Sequence, residues 1–524
     1  MPHRHLRLTT YEEEQSGQEA RVRTCGLVCE SGGVYTPRHP EESILYSVVS
    51  ENLETFLAIQ QQRERTVPRF VERELRSFLK CGILAHGFIR VHCGVCGKDR
   101  VVAFSCKGRS VCSSCCGRRM SDTAAHLVDR VFPEVPIRQW VISFPFALRY
   151  RLAYDAKLLR DVLHIFIQAV FSWQRRRARD CCGIRKAKCG AVTFVQRFGG
   201  SINLNIHLHS LVIDGVYYED EQKRIRFRRL PKPSDSEIAR LMECIARRII
   251  RLLERRGLGP QADPGEADPL LRDQPLLAEL YSASVQGRIA TGPRAGNRVA
   301  TIGFQAEPDN GGSERKSGCA NVSGFSLHAN VCIPAKARRQ LENLCRYVAR
   351  PAVATERLSL LLDGRVSYCL RHKWRDGTTP VLFEPLELME KLAALVPPPR
   401  FNLVRYSGIF APASPWRSEV VPFHQEESDF VHHNGCEGKE QEENPEGKHI
   451  SRPARNHPRN YSWAELMKRV WDFEVLKCDR CGGRMRILCA ITVPDAIVKI
   501  LDCLGLPSRP PPIRPTVQDS YLGD

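Results

Sequence analysis

The stretch Cys93-Gly-Val-Cys96 is followed, fifteen residues later, by Cys112-Ser-Ser-Cys115. Two Cys-x-x-Cys pairs at that interval have the spacing of a zinc ribbon, in which each pair turns on a tight knuckle and four thiolates close a tetrahedral shell. The reading is therefore a structural Zn²⁺ held by Cys93, Cys96, Cys112 and Cys115, with Cys106, Cys116 and His92 as alternative ligands. Four thiolates leave no open coordination position, so such an ion supports the fold and performs no chemistry. Lys98, Arg100, Lys107, Arg109, Arg118 and Arg119 flank the cysteines and form a basic rim suited to phosphate.

The surrounding chain agrees with that partner. It has 524 residues, enough for several domains, and 78 Lys+Arg against 59 Asp+Glu give a formal charge of +19, which favours a polyanion such as nucleic acid. The 22 cysteines would suit a secreted disulfide scaffold, but the start, MPHRHLRLTTYEEE, has no apolar signal-peptide core. The expectation is a cytoplasmic protein in a reducing environment. No run approaches the ~18 apolar residues of a membrane span, and QWVISFPFAL is broken by Pro145, so no membrane association is expected.

Residues 42–80 carry two helical patterns that lead into the cysteines, and MSDTAAHLVDRVF reads as a connecting helix capped by Ser121 and Asp122. From Gln139 the pattern becomes strand, long helix, strand, strand, in QWVISFP, LLRDVLHIFIQAVFSWQRRRARD, GAVTFVQRF and NLNIHLHSLVIDGVYY. Ser234 and Glu237 form a capping box ahead of a helix with an apolar face and an Arg-rich one. The expected division is an N-terminal helical region (1–80), a zinc-ribbon DNA-binding domain (81–121), a core with a helical insertion (122–418), a linker poor in apolar residues (419–460), and a small C-terminal domain with a proline-rich tail (461–524). In the last of these, Cys478-x-x-Cys481 is one knuckle without an evident second; Cys489, Cys503 or a linker histidine are candidates to complete a second zinc site.

The most distinctive stretch of the core is INLNIHLHSLVIDGVY. Side chains alternate along a strand, so Leu204, Ile206 and Leu208 share one face and Asn203, Asn205, His207 and His209 the other. The Cα atoms of the two histidines are then about 6.5–7 Å apart, close enough for both imidazoles to reach one cation. Gln196 and Asp214 are the candidates for a third ligand.

With HLH go VISFP, the cluster VAFSCKGRSVCSSCCGRRM and the segment LCRYVARPAVATERLSL. Together with ASVQGRIATGPRAG and YSWAELMKRVWDFEVLKCDRCGGRMRIL they resemble the rolling-circle transposases of the insertion-sequence-ninety-one family, over most of residues 80–505 and in the family's order. The resemblance implies an α+β, multidomain protein: a ferredoxin-like, replication-initiator-type nuclease core between an N-terminal zinc ribbon and a small C-terminal cysteine-containing domain. It implies Mg²⁺ or Mn²⁺ on the His pair, and cleavage and rejoining of single-stranded DNA, at element ends and target, through a 5′-phosphotyrosine.

Tyr347 is the expected nucleophile. The residues place it on a helix whose apolar stripe is Ala337, Leu341, Leu344, Cys345 and Val348, about a quarter turn from that stripe and flanked by Arg346 and Arg350, both expected to contact DNA. Some relatives carry a second tyrosine four residues earlier; Asn343 stands there, the single-tyrosine pattern. Asn402 and Ser407 stand where the family leads one to expect histidines. The competing reading is a zinc-ribbon DNA-binding protein derived from a degenerate transposase and without catalysis.

Overall fold

Ser43 opens the first long helix: its hydroxyl accepts the Tyr46 N–H and starts α1 (Ile44–Gln62). α2 (Arg69–Lys80) follows and buries Val71, Leu75, Phe78 and Leu79, the spacing of one helical face. A hairpin of β1 (Phe88–Cys93) and β2 (Asp99–Ala103) leads to α3 (Ser113–Arg130). This helix starts eight residues before the expected Ser121 cap. Cys112 is its N-cap instead, the sulfur accepting the Cys115 N–H at 3.4 Å. The computed structural model describes residues 38–259, 268–301, 318–371, 378–422, 461–472 and 474–516. Residues 423–460, nearly all of the segment read as a linker, lie outside them.

The core follows as β3 (Ile137–Ser143), α4 (Ala156–Cys182), β4 (Gly190–Phe198), β5 (Leu204–Ile213), α5 (Asp235–Arg255), β6 (Cys319–Val322), β7 (Phe325–His328), α6 (Arg338–Val348) and β8 (Val404–Gly408). The strands form one sheet in the order β8-β4-β5-β3-β7-β6, each neighbour antiparallel, with Cys332 and Ile333 adding a short pairing on β3. Between α5 and β8 the chain adds helices Pro275–Gln286 and Pro385–Leu395 and a separate four-stranded sheet.

Alternation divides the core sheet as the sequence requires. Leu204, Ile206, Leu208 and Val212 pack with Trp140 and Ile142 against apolar residues of α4 and α5. On the other face Val192, Phe194, Leu211 and Ile213 pack against Leu127 and Val128 of α3 and Leu341, Leu344, Cys345 and Val348 of α6. The expected capping box of Ser234 and Glu237 starts α5.

The chain ends with α7 (Trp463–Trp471), β9 (Met485–Ile491) and α8 (Pro494–Cys503). Residues 461–516 do not make the separate small domain expected. β9 pairs antiparallel with β1, giving a sheet β9-β1-β2 built from both ends of the chain. The physical reason is that β2 covers only one edge of β1, whose other row of backbone donors and acceptors needs a partner. α7 docks on α3 and α6: Arg469 forks onto Asp129 at 2.8 and 3.0 Å and reaches Glu342 at 2.8 Å. Among the described residues no helix is long and apolar enough to cross a membrane.

One ion pair lies inside the core. Arg138 of β3 donates to both oxygens of Asp214, at 2.7 and 3.0 Å, and to the Ala329 carbonyl at 2.9 Å. Both side chains are buried, so removing one strands the other charge, at a cost of about 3–5 kcal/mol. Asp214→Ala should lower the urea midpoint accordingly, and the Arg138→Met/Asp214→Leu pair should recover most of the loss. A single variant as stable as wild type would contradict this.

Candidate active site and cysteine clusters

The cysteines gather in two groups, Cys81, Cys106, Cys112 and Cys115, and Cys93, Cys96, Cys478 and Cys481. The expected shell of Cys93, Cys96, Cys112 and Cys115 does not form. The knuckle of Cys93 and Cys96 is the tip of the β1–β2 hairpin, and β2 then carries the chain roughly 16 Å away at about 3.3 Å per residue, so Cys112 starts α3 beyond reach.

In the first cluster Sγ–Sγ distances are 3.5 Å for Cys106–Cys115 and 3.6 Å for both Cys81–Cys115 and Cys81–Cys112. A tetrahedron with Zn–S bonds of about 2.3 Å has edges of about 3.8 Å, so the donor set fits that ion. Cys81 caps the end of α2, and Glu74 on the same helix accepts the Arg109 and Ser110 N–H groups at 2.8 and 2.9 Å, fixing the loop that carries Cys106. Cys81 was not foreseen, since it stands alone in sequence. Cys116 is not a ligand; burial pushes its thiol up to about 12. His92 instead bonds Asp99 at 2.8 Å.

Much of the expected basic rim is committed elsewhere. The Arg109 guanidinium donates to the Phe401 and Pro398 carbonyls at 3.0 and 3.2 Å, and Arg346, expected like it to contact DNA, pairs with Glu342 on its own helix at 2.6 Å. Lys98 and Arg100 meet Asp479. Arg119 donates to the Lys107 carbonyl at 2.9 Å, and the side chains of Lys107, Arg118 and Arg119 are exposed.

The polar end of the second sheet face holds the histidines. Gln196 of β4 and Ser143 of β3 pair directly with His207 of β5, and Phe194 and Val141 pair with His209. The imidazole centroids are 4.9 Å apart. The His207 Nδ1 lies 2.8 Å from the Asn205 carbonyl oxygen; a carbonyl only accepts, so Nδ1 carries the proton and Nε2 keeps its lone pair. The His209 Nδ1 lies 2.9 Å from the side-chain amide of Gln139. The contacting atom is Gln139 Nε2, an N–H donor, so in this orientation Nδ1 accepts and Nε2 carries the proton; a half-turn of the Gln139 amide would present its oxygen instead, let Nδ1–H donate and free Nε2 as a lone-pair donor, the way a neighbouring acceptor orients a metal-binding imidazole. Burial is the main reason both rings stay neutral: it holds His207 down to about 4, and burial with the neighbouring His207 and Arg350 holds His209 down to about 2.

Among the described residues no group hydrogen-bonds His209 Nε2 or Gln196 Oε1, and both atoms are buried. Two neutral imidazoles and an amide oxygen are a donor set for a divalent cation, and these residues fit one. Among the described residues no Asp, Glu, Cys or further His joins the pair. Asp214, the other candidate third ligand, is taken by Arg138. Gln139 was not foreseen; its signal was a polar residue on the His face, facing Leu211 across the β3–β5 ladder.

Tyr347 stands over this face. α6 runs from Arg338 to Val348 and buries four of the five apolar residues expected of it, while Tyr347 is 40 % exposed. Its ring meets His209 edge-on, with centroids 6.0 Å apart. The Arg350 guanidinium lies 4.5 Å over the tyrosine ring and 5.4 Å from Phe198, and Arg371 approaches the tyrosine to 5.8 Å. Arg350 Nη1 is buried and has no hydrogen-bond partner among the described residues, which leaves one guanidinium donor beside the tyrosine ring unused. Gln196 Nε2 donates to the Val348 carbonyl at 3.4 Å, joining the sheet to the end of the tyrosine helix. Asn402 is exposed, and Ser407 lies on β8 opposite Ala191 of β4.

Two family models match. Residues 51–144, which contain all of the first cysteine cluster, match "Transposase zinc-binding domain", and residues 190–417, which contain His207, His209 and Tyr347, match "Putative transposase". No curated protein and no solved structure matches the chain. The two family matches cover more than half of the sequence in the order expected: the chain belongs to the insertion-sequence-ninety-one family of transposases.

Proposed function

We propose that this transposase cleaves and rejoins single-stranded DNA through Tyr347, in rolling-circle transposition, with a divalent metal held by His207, His209 and Gln196. The observation that carries the reading is the placement of an exposed phenol against a buried, neutral His pair, in which His209 Nε2 has no hydrogen-bond partner among the described residues. The strand order β4-β5-β3-β7, connected as β3-α4-β4-β5-α5-β7, supports a ferredoxin-like, replication-initiator-type core.

In the proposed reaction the Tyr347 oxygen bonds to phosphorus and loses its proton, the bond from phosphorus to the 3′-oxygen breaks, and that oxygen leaves to become a free hydroxyl. The 5′-phosphate stays on the tyrosine, so a later hydroxyl can reverse the step and reseal the strand without ATP. Mg²⁺ or Mn²⁺ at the His pair supplies Lewis-acid polarisation of the phosphate. The Arg350 guanidinium, 4.5 Å over the tyrosine ring, supplies positive charge beside the phosphate. Its stacking with Phe198 and Tyr347 also presents flat surfaces on which unpaired bases stack, each worth ~1–3 kcal/mol.

Wild-type protein with single-stranded element ends and Mn²⁺ should give an SDS-resistant protein–DNA adduct. Tyr347→Phe should abolish it while DNA affinity stays within about twofold; binding without an adduct in the wild type, with either metal and several element ends, would favour the DNA-binding reading instead. The orienting role of Gln139 predicts that Gln139→Leu loses about 10- to 100-fold of activity at limiting metal, recovered by raising Mn²⁺; a loss insensitive to metal would argue for a different role. An exposed imidazole protonates near pH 6.5 and then repels a cation. Because His207 and His209 protonate only near 4 and 2, Mn²⁺ affinity measured by calorimetry should change little from pH 7 to 5.5. A tenfold loss over that interval would contradict the buried, neutral pair.

A further inference from the structure

The second cysteine cluster lies only half inside the zinc-binding match, since Cys93 and Cys96 fall within residues 51–144 and Cys478 and Cys481 do not. Its two halves are the same turn. The Cys93 N–H donates to the Lys98 carbonyl and the Gly97 N–H to the Cys93 carbonyl, both at 2.9 Å; the Cys478 N–H donates to the Gly483 carbonyl at 2.8 Å and the Gly482 N–H to the Cys478 carbonyl at 2.9 Å. Gly97 and Gly482 both have φ of 72°, a conformation open to glycine at little cost. Each half is thus a Cys-x-x-Cys-Gly knuckle with its thiols on one side, and the two face each other across 3.5 Å (Cys93–Cys481) and 3.6 Å (Cys96–Cys478).

We propose that Cys93, Cys96, Cys478 and Cys481 bind a second structural zinc ion that clasps the C-terminal segment to the N-terminal module. All four sulfurs lie within 4.8 Å of one another, the size of a single tetrahedral ion's shell. Four thiolates around Zn²⁺ carry a net charge of −2, and cations stand beside them: Lys98 and Arg100, next to one knuckle, meet Asp479 inside the other at 2.8 and 3.2 Å. The clasp continues directly into the β1–β9 ladder, in which Cys93 pairs with Met485.

The clasp has a consequence for the tyrosine. Cys478 lies nine residues beyond Arg469, which binds Asp129 of α3 and Glu342 of α6, the helix that carries Tyr347. The second ion therefore fastens the segment that braces the tyrosine helix from outside the core. This part rests on the reading of Tyr347 as nucleophile; the ion count does not.

Full-length protein purified in reductant should contain two zinc ions per chain by native mass spectrometry and elemental analysis. Cys478→Ser/Cys481→Ser should hold one, and its amides at 485–491 should exchange with deuterium about tenfold faster or more while those at 204–213 keep their protection. Cys481→His, which retains a zinc ligand at an exposed position, should restore the second ion and the protection, and covers the case in which the double variant folds poorly. One zinc in the wild type, two in the double variant, or a wild-type mass reduced by loss of thiol hydrogens to disulfides would each overturn the proposal. Two ions in the wild type, one in the double variant and unchanged adduct formation by that variant would sink only the link to Tyr347.

Discussion

Strand β5 is hydrogen-bonded along both edges, to β4 and to β3, and the register of those two ladders decides where every functional side chain of the core can be. A shift of one residue would turn His207 and His209 into the layer occupied by α4 and α5 and bring Leu204, Ile206 and Leu208 to the polar face. Each of those side chains contributes about 1.5–3 kcal/mol by its burial, and each imidazole left without a partner in an apolar layer costs a few kcal/mol more. The histidines are held where they are by the leucines and isoleucine between them, whose full burial leaves one energetically acceptable register.

That is why this part of the molecule is legible in the sequence. Alternation along INLNIHLHSLVIDGVY and the 3.6-residue stripe through Leu341, Leu344, Cys345 and Val348 are local patterns, and local patterns set which face a residue takes. The sheet and helix then meet through those apolar faces, so Tyr347 comes to His209 as a by-product of packing. Ligand spacing is different, because a tetrahedron collects whatever sulfurs are near in space. Cys112 and Cys115 had the interval of a ribbon with Cys93 and Cys96, yet a strand separates the two pairs. What did distinguish them was the residue after each pair: glycine after Cys96 and Cys481, which the knuckle's left-handed turn uses, and a second cysteine after Cys115, inside a helix. Cys81 had no partner at short range, and no local pattern marks it.

The formal charge of +19 is also less a property of the surface than composition suggests. Arg138 is spent inside the core, Arg109 on loop carbonyls, Arg346 and Arg469 on Glu342, and Arg177 on Glu237. Guanidinium groups suit this work because five fixed donors can satisfy several acceptors at once. Arg346 and Arg350 illustrate the distinction sequence could not draw: both flank Tyr347, but Arg346 has Glu342 one turn earlier on the same helix, whereas Arg350, past the helix end, stacks on the tyrosine with Nη1 lacking a hydrogen-bond partner among the described residues.

A nucleophile on a short helix must be held to a fraction of an ångström relative to a site on a neighbouring sheet, since misplacement by about 1 Å costs on the order of 10²-fold in rate. Eleven residues of α6 supply too little intrinsic helix stability for that. The position is set from three sides instead. The apolar stripe of α6 seats it on β4 and β5, Gln196 holds its last turn through the Val348 carbonyl, and Arg469 holds its outer face through Glu342. Tyr347 is exposed together with Arg339, Gln340 and Asn343 of the same helix, and its ring stands beside His209, whose Nε2 has no hydrogen-bond partner among the described residues. In the proposed reaction the helix is rigid where the phosphorus must be met and open where the DNA strand must enter. Both properties come from the same arrangement, because the buried stripe, the Val348 carbonyl and Glu342 fix α6 while Tyr347 keeps an exposed edge.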